Sequence, residues 1–184
     1  AAEVALEPMS YTENFEAGEL NAWATYPHFQ DTAFNPFLKV NTIVPGDSNK
    51  SLIQTVHAFW NEDSYGGVVK LLDLYLAADS RIKFRYYFKS HMTPASVTVS
   101  LAAGEHGRLD VSFAGPAPNR WNEVTISYKD ILAANKSAAE LDKLHIHALA
   151  VVVKLIDADP SMTYLLGVDD VRIEAMQMVP FRFD

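Results

Sequence analysis

From Arg81 to Lys89 the chain alternates without a break: Ile82, Phe84, Tyr86 and Phe88 fall on one side, and Arg81, Lys83, Arg85, Tyr87 and Lys89 on the other. A period of two is the signature of a half-buried strand with a polar face towards water. Ser51–Trp60, Ser96–Leu101, Arg108–Phe113, Glu123–Tyr128 and Tyr164–Met176 also read as strands. Gly67–Ala77 is apolar on both sides, and Leu144–Ile156 is almost wholly apolar, as expected of strands covered on both faces. Turn signals separate them at Pro45-Gly46-Asp47, Asp79-Ser80, Ala103–Gly107, Gly115–Asn119 and Asp157–Pro160. One helical stretch is predicted, Ser137–Leu144, where Ser137 and Glu140 have capping-box spacing. Short strands at roughly ten-residue spacing, without long helices between them, predict an all-β sandwich.

Composition narrows the function classes. With 184 residues, 49% hydrophobic and 21% charged, the chain is one domain in size and too apolar to be a solvated coil. Its longest apolar run, Ala148–Val153, is far shorter than the roughly 20 residues a membrane span needs. The formal charge of −8 disfavours nucleic acid as a partner. There is no cysteine, so disulfides, thiolate metal sites and cysteine nucleophiles are excluded. The start, Ala1-Ala2-Glu3, suits either the remnant of a cleaved export signal or a boundary within a longer chain.

Standard catalytic motifs are missing: there is no HExxH, GxSxG, GxGxxG or phosphate-binding loop. Glu13, Glu16 and Glu19 are candidate paired carboxylates, but Gly18 argues against a helix that would align them. His145 and His147 share a strand face, which suits either a metal or a plain solvated surface.

A more specific pattern runs through four segments in order: Asn14-Phe15-Glu16-Ala17-Gly18 with Trp23; Gly46-Asp47 leading to Lys50-Ser51-Leu52; Trp121–Ile126; and Val168-Asp169-Asp170-Val171-Arg172-Ile173. Over about residues 12–175 the chain thereby resembles carbohydrate-binding modules with a galactose-binding-like β-jelly roll. The resemblance implies a jelly roll of two antiparallel sheets, to which the residue pattern adds the one short helix; residues 1–10 read as a leader, 11–176 as the domain and 177–184 as a tail. It also implies a structural calcium held by Glu16, Asp47, the Lys50 carbonyl, and Asp169 or Asp170, hard oxygen donors that suit this cation. Adjacent Asp169 and Asp170 would repel each other unless neutralised, which agrees with that expectation.

A sugar site needs exposed rings for C–H stacking and planar polar groups for hydroxyls. Two places qualify: the Lys83, Arg85, Tyr87 face with His147 on a neighbouring strand, and the loop carrying Trp60 and Tyr65. Trp23 and Trp121 match positions that usually pack in the resembled modules, so both are expected in the core. If the cationic row lines a groove, an acidic polysaccharide is expected. The resulting expectation is a non-catalytic polysaccharide- or oligosaccharide-binding module of a secreted, periplasmic or cell-surface bacterial glycan-degrading system. The alternatives are a lyase using Arg85, Tyr87 and His147 on an acidic polysaccharide, and a structural or adhesion domain.

Overall fold

The computed structural model of the chain describes residues 5–26, 37–60 and 62–179. Among these residues there are eleven strands: β1 (Leu6–Glu13), β2 (Ala24–Tyr26), β3 (Leu38–Asn41), β4 (Ser51–Val56), β5 (Ser64–Ala77), β6 (Arg81–Lys89), β7 (Ser96–Ala102), β8 (Arg108–Ala114), β9 (Trp121–Ser127), β10 (Lys143–Leu155) and β11 (Tyr164–Met178). One α-helix, α1 (Tyr128–Ala134), follows β9. Among the described residues no helix is long and apolar enough to cross a membrane.

The strands form a sandwich of two antiparallel sheets. In the first, β6 takes one edge of β11, and β4 and then β1 share the other, giving β3–β4/β1–β11–β6–β9. The second runs β2–β5–β10–β7–β8. The sheets touch through one backbone pairing, Met176 with Tyr75, where β11 has outrun β6. The core lies between them. From β6, Ile82, Phe84, Tyr86 and Phe88 are all buried, as the alternation predicts. A buried Leu or Phe of this kind contributes about 1.5–3 kcal/mol.

On β10 the core phase changes. Leu144 and Ile146 face inward, and then Leu149, Val151, Val153 and Leu155 do. The register with β5 shifts between Ile146 and Ala148, where two steps along β10 match three along β5, and His147 is left outside. A second bulge, on β11, places Asp170 at φ 50, so that Asp169 faces Arg85 on β6.

Three expectations change. The helix is not Ser137–Leu144 but Tyr128–Ala134: Ser127 Oγ accepts the Asp130 N–H and Asp130 accepts the Ser127 N–H, a complete capping box. Lys136–Ala138 makes only a short 3₁₀ turn, and Leu144 belongs to β10. Residues 6–10, expected in a leader, are strand, because their backbone pairs with Met178 to Glu174 of β11. Residues 177 and 178, expected in the tail, are the partners of that pairing.

Candidate functional site

The outer face of the second sheet is hollow. Four strand spacings of about 4.8 Å, roughly 19 Å in a flat sheet, separate β2 from β8. Yet Arg108 Nη1 on β8 donates to the Tyr26 hydroxyl on β2 at 3.3 Å. Side chains from opposite edges meet only if the sheet curls towards this side, so the face is concave.

Its floor is built from small and β-branched residues on alternate positions of the central strands: Val69 on β5, Ala148, Ala150 and Val152 on β10, and Ser100 on β7; Gly67, paired with Val152, has the same parity as Val69. Two adjoining depressions occupy it, of about 380 and 530 Å³. They share Tyr26, Ser100 and Arg108, so the Tyr26–Arg108 contact lies between them. The smaller is lined by Tyr65, Thr98, Asp110 and Val152 besides the shared residues. This combination of two rings, hydroxyls, a guanidinium and a carboxylate can stack on a sugar and bond its hydroxyls.

The charges of this face are paired. Arg108 Nη2 lies 3.2 Å from Asp110 Oδ2, and Lys154 Nζ lies 3.4 Å from Asp63 Oδ2 and above the Tyr65 ring. The Asp63 bond holds the Lys154 ammonium above its ordinary pKa. His145 Nε2 is 2.6 Å from Asp73 Oδ1, and its ring stacks on Tyr75 with centroids 4.3 Å apart. The His147 ring is 4.2 Å from that of His145 by centroid.

The residues predicted for sugar binding divide between the two sheets. Tyr65, 51% exposed, and His147 line the concave face. Trp60 is 66% exposed in the loop before β5, where the Phe59 N–H donates to Ser64 Oγ. Lys83, Arg85 and Tyr87 lie on the outer face of the other sheet. The structure therefore does not bring Arg85, Tyr87 and His147 to one substrate, as the lyase alternative needs. Arg85 is committed: Nη2 bonds Asp169 Oδ2 at 3.3 Å, Nε lies 2.7 Å from Asp170 Oδ2, and the guanidinium sits 4.3 Å over the Trp121 ring. Trp121, expected in the core, is only half-buried and packs on the sheet's outer side, edge-on to Tyr87 and under the Arg85 guanidinium. Trp23 is in the core and donates to the Tyr11 hydroxyl.

Burial raises the Asp169 pKa to about 6, and the Asp170 N–H and Arg85 counteract it. The residues expected around calcium are only partly gathered. Glu16 Oε1 accepts the Lys50 N–H at 3.0 Å, whereas Asp47 accepts the N–H of Asn49 within its own turn. Asp169 and Asp170 both face Arg85, at 3.3 and 2.7 Å, so a calcium bound there would have to displace the guanidinium. Among the described residues, no group of three or more His, Asp or Glu side chains is gathered as it would be around a metal held by side chains alone.

Tyr26, Ser100, Arg108 and Asp110 were not anticipated. The signal available was the run of small residues on one parity of β10 and β7, which a strand reserves for a face that something else must approach closely.

No protein-family model matches the chain, and no curated protein matches it in sequence. Solved structures do match in fold. A family 61 carbohydrate-binding module in complex with β-1,4-galactotriose has a TM-score of 0.51 at 13% identity, covering 88% of this chain and 94% of its own. A family 28 module specific for non-crystalline cellulose has a TM-score of 0.56 at 14% identity, covering 88% and 92%. The family 22 module and xylanase domain of Clostridium thermocellum xylanase 10B, complexed with xylohexaose, has a TM-score of 0.52 at 14% identity, with 90% of this chain matching 28% of that one. The fold is the β-jelly roll found in carbohydrate-binding modules.

Proposed function

We propose that the chain is a non-catalytic carbohydrate-binding module that holds an uncharged glycan on the concave face of the β2–β5–β10–β7–β8 sheet, and that it serves a secreted glycan-degrading system. The observation that carries this is the depression where Tyr26 and Tyr65 rings stand over a small-residue floor beside Ser100, Arg108 and Asp110. The solved modules of like fold, crystallised with galactotriose or xylohexaose or specific for cellulose, support it. The uncharged class follows from the pairing of Arg108 with Asp110 and of Lys154 with Asp63. A uronate or sulfate would have to displace a carboxylate to gain a cation. The acidic glycan expected from the Lys83–Arg85–Tyr87 row loses its main support, since Arg85 is held by Asp169 and Asp170.

Titration calorimetry with soluble galactan, xylan, cellulose and mixed-linkage glucan fragments, at 20 and 500 mM salt, tests the reading. At least one neutral glycan is expected to bind, with less than about threefold change across that salt range. Tyr65→Ala is expected to weaken binding about fivefold, through loss of roughly 1 kcal/mol of stacking. Ser100→Trp, which fills the floor, is expected to abolish it. Undiminished binding by Ser100→Trp places the site elsewhere, and a steep salt dependence overturns the uncharged class.

Calcium stays in the proposal only at Glu16, Asp47 and the Lys50 carbonyl, supported by the contact between Glu16 and Lys50. The expected result is a melting temperature lowered by chelator and restored by Ca²⁺, with glycan affinity unchanged. Identical melting curves in the two conditions remove calcium from the proposal.

A further inference from the structure

The two depressions differ in chemistry. The larger is lined by Val69, Leu71, Ala102, Ala103, Ala148 and Ala150, with His147 and the backbone of Gly104 and Gly107 at its end. Among the described residues, apart from Tyr26, Ser100 and Arg108, which it shares with its neighbour, His147 is its one polar side chain. A bare pyranose carries hydroxyls around most of its rim. Buried here, most of them would lose water and find no partner, which disfavours binding. Leu71, by contrast, stands 60% exposed on a sheet face whose neighbouring floor is also apolar, and it gains from being covered by an apolar group.

We propose that the larger depression receives an apolar substituent of the glycan, an acyl or aryl group, while the sugar that bears it lies in the smaller one. The proposal rests on the concave-face reading above. Continuity identifies the occupant. Tyr26, Ser100 and Arg108 line both depressions, so a group in the second is one linkage away from a ring in the first. The volume, about 530 Å³, is within the range that accepts a small aromatic ligand. Nothing in it asks for charge: His147 can offer one hydrogen bond to an ester or ether oxygen at the junction.

The test compares methyl and 2-naphthyl glycosides of galacto-, xylo- and cello-oligosaccharides by titration calorimetry. The naphthyl glycoside of whichever sugar binds is expected to bind at least tenfold more tightly than its methyl counterpart. Leu71→Asn, and separately Ala102→Asp, both at exposed positions, are expected to bring that ratio towards one. Equal affinities of the two glycosides for the unaltered protein overturn this inference and leave the groove reading intact. A ratio that Leu71→Asn and Ala102→Asp leave untouched also overturns it, because the aglycone then sits elsewhere. Binding of no oligosaccharide in either form, with 2-naphthol bound alone, overturns both readings.

Discussion

At pH 7.5, Arg85→Met is expected to lower stability by about 3–5 kcal/mol, the usual cost of removing one partner from a buried ion pair. For a domain of this size that is roughly 6–20 °C in melting temperature. Methionine keeps an apolar chain over Trp121, so the loss isolates the charge. The Asp169 side chain is only 2% exposed, and its carboxylate has Arg85 and the Asp170 N–H as its favourable partners. The sign of the pH dependence follows from its pKa. Unfolded, the carboxyl titrates near 3.8; folded, it titrates near 6 because burial disfavours the charge. The native state therefore binds the proton more tightly, and stability falls as pH rises from about 4 to about 6. Removing Arg85 raises the folded pKa further and extends the fall to higher pH. The deficit of Arg85→Met is accordingly expected to be largest at pH 7.5 and to shrink at pH 5 and below. Urea unfolding at both values checks it. Asp169→Asn in the same background should recover most of the loss, since the amide oxygen can still accept the Asp170 N–H. A deficit independent of pH, or one not recovered by Asp169→Asn, would mean that Arg85 acts through packing alone.

Arg85 also shows where sequence reading stops. The cationic row of β6 is plain in the alternation of residues 81–89, and so is the burial of Ile82, Phe84, Tyr86 and Phe88. The repulsion between Asp169 and Asp170 is equally plain, and from sequence alone it suits a calcium as well as any other cation. The partner that resolves it is 84 residues away, brought in by a bulge that lifts Asp170 to φ 50. Neither the pairing of β6 with β11 nor the bulge has a local sequence signal. The group that faces both carboxylates is the Arg85 guanidinium.

The groove was hidden for a different reason. Both faces of β10 are apolar, so periodicity cannot say which one is core. Size separates them: Leu, Ile and Val point inward, and Ala148, Ala150 and Val152 point outward. β1, β2 and β3 are short or alternate weakly, and they are held by pairing with β11, β5 and β4 more than by their own propensity. Ser127 and Ser137 both begin an N-cap pattern. Only the first opens a helix, one that buries Tyr128 and Ile131 against the sandwich.

The floor of the groove supplies the second large effect. Gly67→Ala is expected to cost about 3 kcal/mol, roughly 6–12 °C in melting temperature. A Cβ at this position would run into the carbonyl oxygen of Val151 and come to 3.0 Å of the Val152 Cα, so its obstacles are main chain on the neighbouring strand and cannot rotate away. β5 and β10 must part there, at the Gly67–Val152 pairing, and Tyr26 is paired to the same residue from the other side. The change thus reaches both the floor and the ring that stands over it. Glycan affinity is expected to fall even at temperatures where the variant is fully folded. Gly104→Ala makes the comparison. It has φ +58, and its Cβ would meet only the tip of His147 at 3.4 Å, so a cost of about 1–2 kcal/mol is expected from the backbone strain alone. Thermal unfolding of both variants, with calorimetry against the best neutral glycan, checks the ordering. If Gly67→Ala melts as high as Gly104→Ala and binds glycan as the parent does, then the close approach of β5 and β10 is not what shapes the groove.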